Sequence, residues 1–338
     1  MELREELDGY RTAATLPEPE ALEAILDRAN AVLAAEDAET RPRDAGGAPG
    51  GLVELDKELP TALLPDIHAR PGLVWAALNH ELPVSGRLLD AISEGKAQLV
   101  CLGDYFHGEG RVKQRWLDAF AEFSRGFAAH EAMDQEMRES LAVLLVIARL
   151  KAAFPSRIHL LKGNHENVTN ESGNGNHPFG KYAYEGDMVF EYLRLFYGEK
   201  LIAALAEFEK RLPLLAIGRH FLVSHAEPER FFSRAELIES RYREEVIYGL
   251  TWTDNDRADP HAVGRMLEHY LGEENARTAL YFGGHRPVTG LYALRAEGRY
   301  VQTHNPARYI MAFLPADRSA DPGRDIIDLG AVRDAYDG

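Results

Sequence analysis

RIHLLKGNHEN, residues 157–167, begins as a short apolar run and ends in a turn that carries an amide and an imidazole, Asn164 and His165, behind a glycine. TALLPD (61–66) and AQLVCLGD (97–104) have the same form. Apolar runs of this length followed by polar residues predict buried strands whose C-terminal ends bear loops. Between the second and third runs, residues 112–154 have helical periodicity with an interruption near Ser124 to Gly126, and Pro155 closes the stretch. Two helical segments follow residue 180. LPLLAIG and HFLVSHA then predict a strand pair joined by a tight turn at Gly218 and Arg219. ALYFGGH predicts a single strand, LYALRAEGRYVQTH a hairpin turning at Glu297 and Gly298, and YIMAFL a last strand. Strand–helix alternation first and hairpins later predict two sheets packed face to face with helices outside.

Working outward, residues 1–50 read as an acidic helical arm, with Leu22, Ile25, Leu26 and Ala29 at helical spacing, followed by the linker RPRDAGGAPGG. The main domain is expected over 51–316, with a helical insertion at about 112–150 and a C-terminal tail at 317–338. Trp116, Phe120, Phe123 and Phe127 in the insertion read as core or as a contact with a second copy, so a homo-oligomer is a candidate assembly. The 338 residues carry 38 Lys and Arg against 54 Asp and Glu, a net charge of −16, which disfavours nucleic acid and anionic membrane as partners. The opening MELREELDGY has no signal-like apolar stretch, and no segment approaches the roughly 20 apolar residues of a membrane span, so a cytoplasmic location is expected. Cys101, the single cysteine, falls in an apolar run and reads as buried and inert.

The chemistry lies at the strand ends. Asp66-Ile67-His68, Gly103-Asp104, Gly163-Asn164-His165, Ser224-His225 and Gly284-His285 each follow a predicted strand. In a D-x-H tripeptide the alternation of side chains puts carboxylate and imidazole on one side, which suits two ligands of one metal. Asp104 can bridge two cations, Asn164 offers a neutral oxygen, and His225 and His285 offer ring nitrogens. The mixed oxygen and nitrogen set favours Mn, Fe or Zn over Mg or Ca. The glycines before Asp104, Asn164 and His285 fit turns in which the backbone approaches the site closely. Two cations a few ångström apart suit hydrolysis of a phosphoester by metal-hydroxide attack, and His165 is placed to protonate the leaving oxygen.

The ordered set PDIHAR, LGDYFHGEGR, LKGNHEN, VSHAEP and GGHRPV resembles the calcineurin-like metallophosphoesterases, and within them the phosphoprotein phosphatase (PPP) branch, over about residues 52–315. LPLLAIGRHFLVSHAEP and Leu250-Thr251-Trp252-Thr253-Asp254 are also similar to that branch. The resemblance implies a four-layer α/β/β/α sandwich. It implies a first metal on Asp66, His68 and Asp104 and a second on Asp104, Asn164, His225 and His285. Where the family has an Asp that orients the catalytic His and an Arg that grips phosphate, this chain has His107 and Gly108. Glu109 is therefore expected to orient His165, with His107 the competing candidate. Arg111, Arg257 and Arg265 are expected to grip phosphate, His304 is a candidate for the rim of the site, and His177 reads as part of a glycine-rich turn, with a substrate-facing loop as the alternative. The expected activity is hydrolysis of phosphomonoesters, with Ser/Thr phosphoproteins as candidate substrates. The alternatives are a nucleotide or dinucleoside polyphosphate hydrolase and a metal-binding scaffold without catalysis.

Overall fold

A computed structural model describes residues 3–82 and 86–332. Its strands are β1 (Leu52–Glu54), β2 (Thr61–Leu64), β3 (Glu81–Leu82), β4 (Gly86–Arg87), β5 (Gln98–Cys101), β6 (Ile158–Leu160), β7 (Leu215–Ile217), β8 (Phe221–Ser224), β9 (Leu280–Gly283), β10 (Ala293–Arg295), β11 (Tyr300–Gln302), β12 (Arg308–Leu314) and β13 (Ile326–Ala331). They form a five-stranded sheet, β13-β12-β2-β5-β6, a six-stranded sheet, β1-β7-β8-β9-β11-β10, and the small hairpin β3-β4.

Period-2 alternation turns these strands into layers. Leu63, Val100, Ala216, Phe221, Val223, Phe282 and Val301 point between the sheets and share one core. Their neighbours Ala62, Leu64, Leu99 and Cys101 face outward into a core shared with helices on the five-stranded side. Leu215, Leu222, Tyr281 and Tyr300 face helices on the other side. The result is the expected α/β/β/α sandwich. The expected pair β7–β8 is antiparallel, and the Gly218 N–H donates to the Phe221 carbonyl at 2.9 Å across its turn. The hairpin β10–β11 turns through Ala296, Glu297 and Gly298, all at positive φ. Cys101 is buried, as expected, and burial pushes its thiol up to about 12. Among the described residues no helix is long and apolar enough to cross a membrane.

The two chain ends are more integrated than the expected boundaries allow. Helices Leu3–Thr12 and Pro19–Ala34 do not stand off as an arm: Leu7, Leu22, Leu26, Ala29 and Leu33 are fully buried in the same core as β2 and β5. The supposed linker is anchored too. Arg41 is fully buried, pairs with Glu36 at 2.6 Å and donates to the Gly50 carbonyl, while Lys151 meets the other Glu36 oxygen at 2.5 Å. Local pattern showed an amphipathic helix but not what its apolar face covers. Leu22→Ala is accordingly expected to cost about 2–5 kcal/mol in denaturant unfolding, the range for a buried Leu, where an independent arm would cost the domain almost nothing. At the other end, Ile326–Ala331 pairs with β12 as an edge strand rather than hanging free as a tail; residues 333–338 of that tail lie outside the described residues.

The expected insertion is a pair of helices, Lys113–Phe123 and Glu131–Ala153, broken where Gly126 and Phe127 take positive φ. Trp116 is fully buried, and its indole donates to the Gly108 carbonyl at 2.7 Å. Glu136, on the longer helix, accepts the Gly108 N–H at 2.7 Å. The helix pair thereby clamps the loop after β5, which bears His107 and Glu109.

Candidate active site

β2, β5 and β6 run parallel in one sheet, and β8, β9 and β11 run parallel in the other. Their C-terminal ends therefore emerge at one edge of the sandwich, where residues distant in sequence meet. The backbone there is unusual. His68, Asp104, His107 and His285 all take left-handed φ between 45° and 65°, a conformation costly for side-chain-bearing residues and concentrated at functional sites. Buried Arg70 holds the first loop by donating to the carbonyls of Ile67 and Asn305. Glycine is required where the loops touch: a Cβ on Gly284 would lie 1.8 Å from Asp66 Oδ1, and one on Gly163 would lie 2.2 Å from Asp104 Oδ1.

Asp104 sits at the centre. Its Oδ2 is 3.5 Å from His68 Nε2, 3.5 Å from His225 Nε2 and 3.7 Å from His165 Nε2. Asp66 flanks it on one side, 4.0 Å from His68 Nε2 and 3.8 Å from His225 Nδ1. On the other side Asn164 Oδ1 lies 2.9 Å from both His225 Nε2 and His285 Nδ1. All six expected ligands are thus brought together. Outer partners orient them: His68 Nδ1 faces the His107 carbonyl and His225 Nδ1 the Leu102 carbonyl, each at 3.0 Å. Glu166, which the sequence reading passed over inside GNHEN, gathers the N–H groups of Asp104, Tyr105 and Gly163 on its carboxylate and so locks two of the loops together.

The donor set fits cations. Burial, reinforced by the carboxylates of Asp66 and Glu166, drives the Asp104 carboxyl well above its usual range, the behaviour of an anionic cluster that needs a positive charge. Asp66 Oδ2 is buried without a hydrogen-bond partner, as a ligand atom facing a metal position would be.

The second tier departs from expectation. Glu109 does not go to His165; it sits against His68 and His304, 3.6 Å from His68 Nε2 and 2.8 Å from His304 Nε2. His107 meets His165 instead, Nδ1 to Nδ1 at 2.9 Å. Phe179 lies parallel to the His107 ring at 4.8 Å and packs on His165 at 3.8 Å, closing the pair from behind. Burial lowers His107 to about 3, with help from His68, and burial with His68 and His107 holds His165 well below the usual imidazole range. A neutral His107 can accept a proton-bearing Nδ1 of His165, a role the sequence reading had assigned to a carboxylate.

The expected phosphate-gripping arginines are elsewhere. Arg111 turns away to Glu139 at 2.6 Å and to the Ala69 carbonyl. Arg265 lies over Phe231 and near Asp259, in a separate depression. Arg257 does not line the cleft over the site, whose basic residues are Lys181 and Arg286. Arg286 directly follows His285 in GGHRPV, so adjacency to a ligand was the signal available for it. A Cβ at Gly108, where the family has its arginine, would lie 2.5 Å from Val112. His304 is fully buried rather than on the rim, and His177 packs edge-on against Tyr248 and Trp252 while the next four residues, 178–181, line the cleft.

The sequence profile of the calcineurin-like phosphoesterases matches residues 59–312. Among solved structures, a protein serine/threonine phosphatase from Saccharomyces cerevisiae with similarity to human phosphatase PP5 superposes with a TM-score of 0.59 over 98% of this chain and 97% of its own, at 16% identity. That likeness concerns the fold. A cold-active protein tyrosine phosphatase of a psychrophilic Shewanella species matches 82% of each chain at 13% identity, with a TM-score of 0.41. No curated protein matches in sequence.

Proposed function

We propose, since the chain belongs to the calcineurin-like phosphoesterase family and is a metal-dependent phosphoric ester hydrolase, that it hydrolyses phosphomonoesters at a binuclear centre spanning Asp104. Asp66 and His68 would complete one position, and Asn164, His225 and His285 the other. The observation that carries this reading is the central Asp104 Oδ2, equally distant from a nitrogen of each set. Two cations held there would supply a hydroxide at neutral pH and neutralise phosphate charge. Mn, Fe or Zn suits the mixed donors.

The chain's own groups do the rest. Burial holds the His165 ring well below the usual imidazole range, and a bound phosphate anion favours its charged form. Its Nε2 faces the centre and delivers the proton to the departing alkoxide, while Nδ1 is steadied by His107. Lys181 and Arg286 at the cleft add positive charge for the bound phosphoryl oxygens, and Phe179 keeps water from the histidine pair. Phosphoserine or phosphothreonine is the proposed substrate: the PPP-like order of motifs supports it, as does the fold held in common with the yeast phosphatase.

The test is hydrolysis of an aryl phosphate, phosphopeptides, nucleotides and dinucleoside polyphosphates with Mn. Turnover is expected to vanish on chelation and to favour phosphopeptides. Full activity after complete metal removal, verified by elemental analysis, would overturn the metal-dependent reading, and a preference for dinucleoside polyphosphates would replace the substrate. His107→Ala is further expected to slow poor leaving groups by roughly 10- to 100-fold, as loss of an orienting partner does, while sparing activated aryl esters. A linear free-energy plot against leaving-group pKa checks this; an unchanged slope would remove His107 from the proton-transfer pair.

A further inference from the structure

Glu109 and His304 have no task in this chemistry, yet His304 is fully buried against its centre and Glu109 is largely so, with its Oε1 also 3.4 Å from Lys181 Nζ at the cleft. His304 follows β11, and its Nδ1 is 3.7 Å from Asp66 Oδ2. Its Nε2 lies 2.8 Å from Glu109 Oε2 but is not aligned as a hydrogen bond, and both ring nitrogens, Glu109 Oε2 and Asp66 Oδ2 are buried without a hydrogen-bond partner. Glu109 Oε1 in turn lies 3.6 Å from His68 Nε2. Asp66, His68 and His304 present ligand atoms within 4.8 Å of one another. A histidine held only as an ion pair between two carboxylates would be expected to align at least one N–H on an oxygen. Unpartnered oxygens of Asp66 and Glu109 beside an imidazole that can offer one free nitrogen are what a cation position looks like before the cation.

We propose that Glu109 and His304 are additional ligands of the first metal, so that this position is built from Asp66, His68, Asp104, Glu109 and His304. The inference rests on the binuclear reading above and extends it. Five protein donors, three of them carboxylates, exceed the four of a tetrahedral zinc site and suit an ion of higher coordination number such as Mn or Fe. The second position keeps a neutral amide and two imidazoles beside Asp104. The two positions are therefore chemically unequal, with the first the tighter for Mn. The loop that supplies Glu109 is held by Trp116 and Glu136 of the helical insertion, so the insertion acts as the support of a metal ligand.

Equilibrium dialysis against Mn(II) with elemental analysis, run alongside electron paramagnetic resonance, tests this on the wild type, His304→Gln and Glu109→Gln. Thermal melting confirms that each variant is folded, and either variant alone suffices should the other fail to fold. The wild type is expected to bind two Mn and to show the spectrum of an exchange-coupled pair. Each variant should keep one Mn with wild-type affinity and bind the other at least about tenfold more weakly, with the isolated-ion spectrum appearing at intermediate loading. Variants that bind two Mn with unchanged affinity would overturn the proposal, leaving His304 and Glu109 an ion pair. A folded variant that loses both metals equally would also overturn it, because the effect would not belong to one position. A wild type unable to bind a pair would remove the binuclear reading itself, and this proposal with it.

Discussion

Asp104→Asn is expected to weaken both metal positions together and to lower Mn-dependent turnover by on the order of 10³-fold, the equivalent of several kcal/mol of charge stabilisation. The argument is electrostatic. One carboxylate oxygen faces nitrogens of both proposed ligand sets, so removing its charge would cost each cation its shared anion. The substitution is mild for the backbone. Asp104 sits at φ 52°, and Asn is among the few residues that tolerate that region, so the fold should survive. The amide oxygen can still accept the His165 N–H that Oδ1 accepts at 3.0 Å. Metal titration and melting temperature separate the two effects. Two tightly held metals and a wild-type rate would show that Asp104 does not bridge.

His165→Asn is expected to leave both metals bound while slowing alkyl phosphates by roughly 10² to 10⁴-fold, the contribution of a general acid. Activated aryl phosphates, whose leaving groups need no proton, should lose far less. The geometry behind this is the ring's position: Nε2 points to Asp104 while Nδ1 and the ring face are occupied by His107 and Phe179, so only one nitrogen is free for the substrate. Equal loss on both substrate types would make His165 a positioning or metal-binding residue instead; it does form a cluster with His68 and Asp104 that could hold an ion.

The parts of the site that could be read in advance are those encoded locally. A strand followed by a glycine and a ligand-type residue is a property of a few consecutive positions. Asp66, His68, Asp104, Asn164, His225 and His285 could therefore be picked as candidates without coordinates. Glu166 and Arg286, which stand inside or beside the same motifs, could have been found by asking what orients each loop and which charge follows each ligand.

What could not be read depends on which loop bends toward which. From the string GDYFHGEGR, Glu109 and His107 are equally able to reach His165. The choice is made by Trp116 and Glu136, which grip Gly108 and turn the two neighbouring side chains to opposite tasks. His304 lies well over a hundred residues beyond His68 and carries no motif. It joins the site only because β11 runs parallel to β9 and so ends at the same edge. Arg111 has the right charge in a plausible place, but the buried Glu139 takes it. The N-terminal helices show the same division at the level of the fold. Their amphipathic spacing specifies helices and an apolar stripe, because periodicity is local. Only packing, through Leu22 and Leu26 against the core behind β2 and β5, makes them part of the domain, because burial depends on what lies opposite.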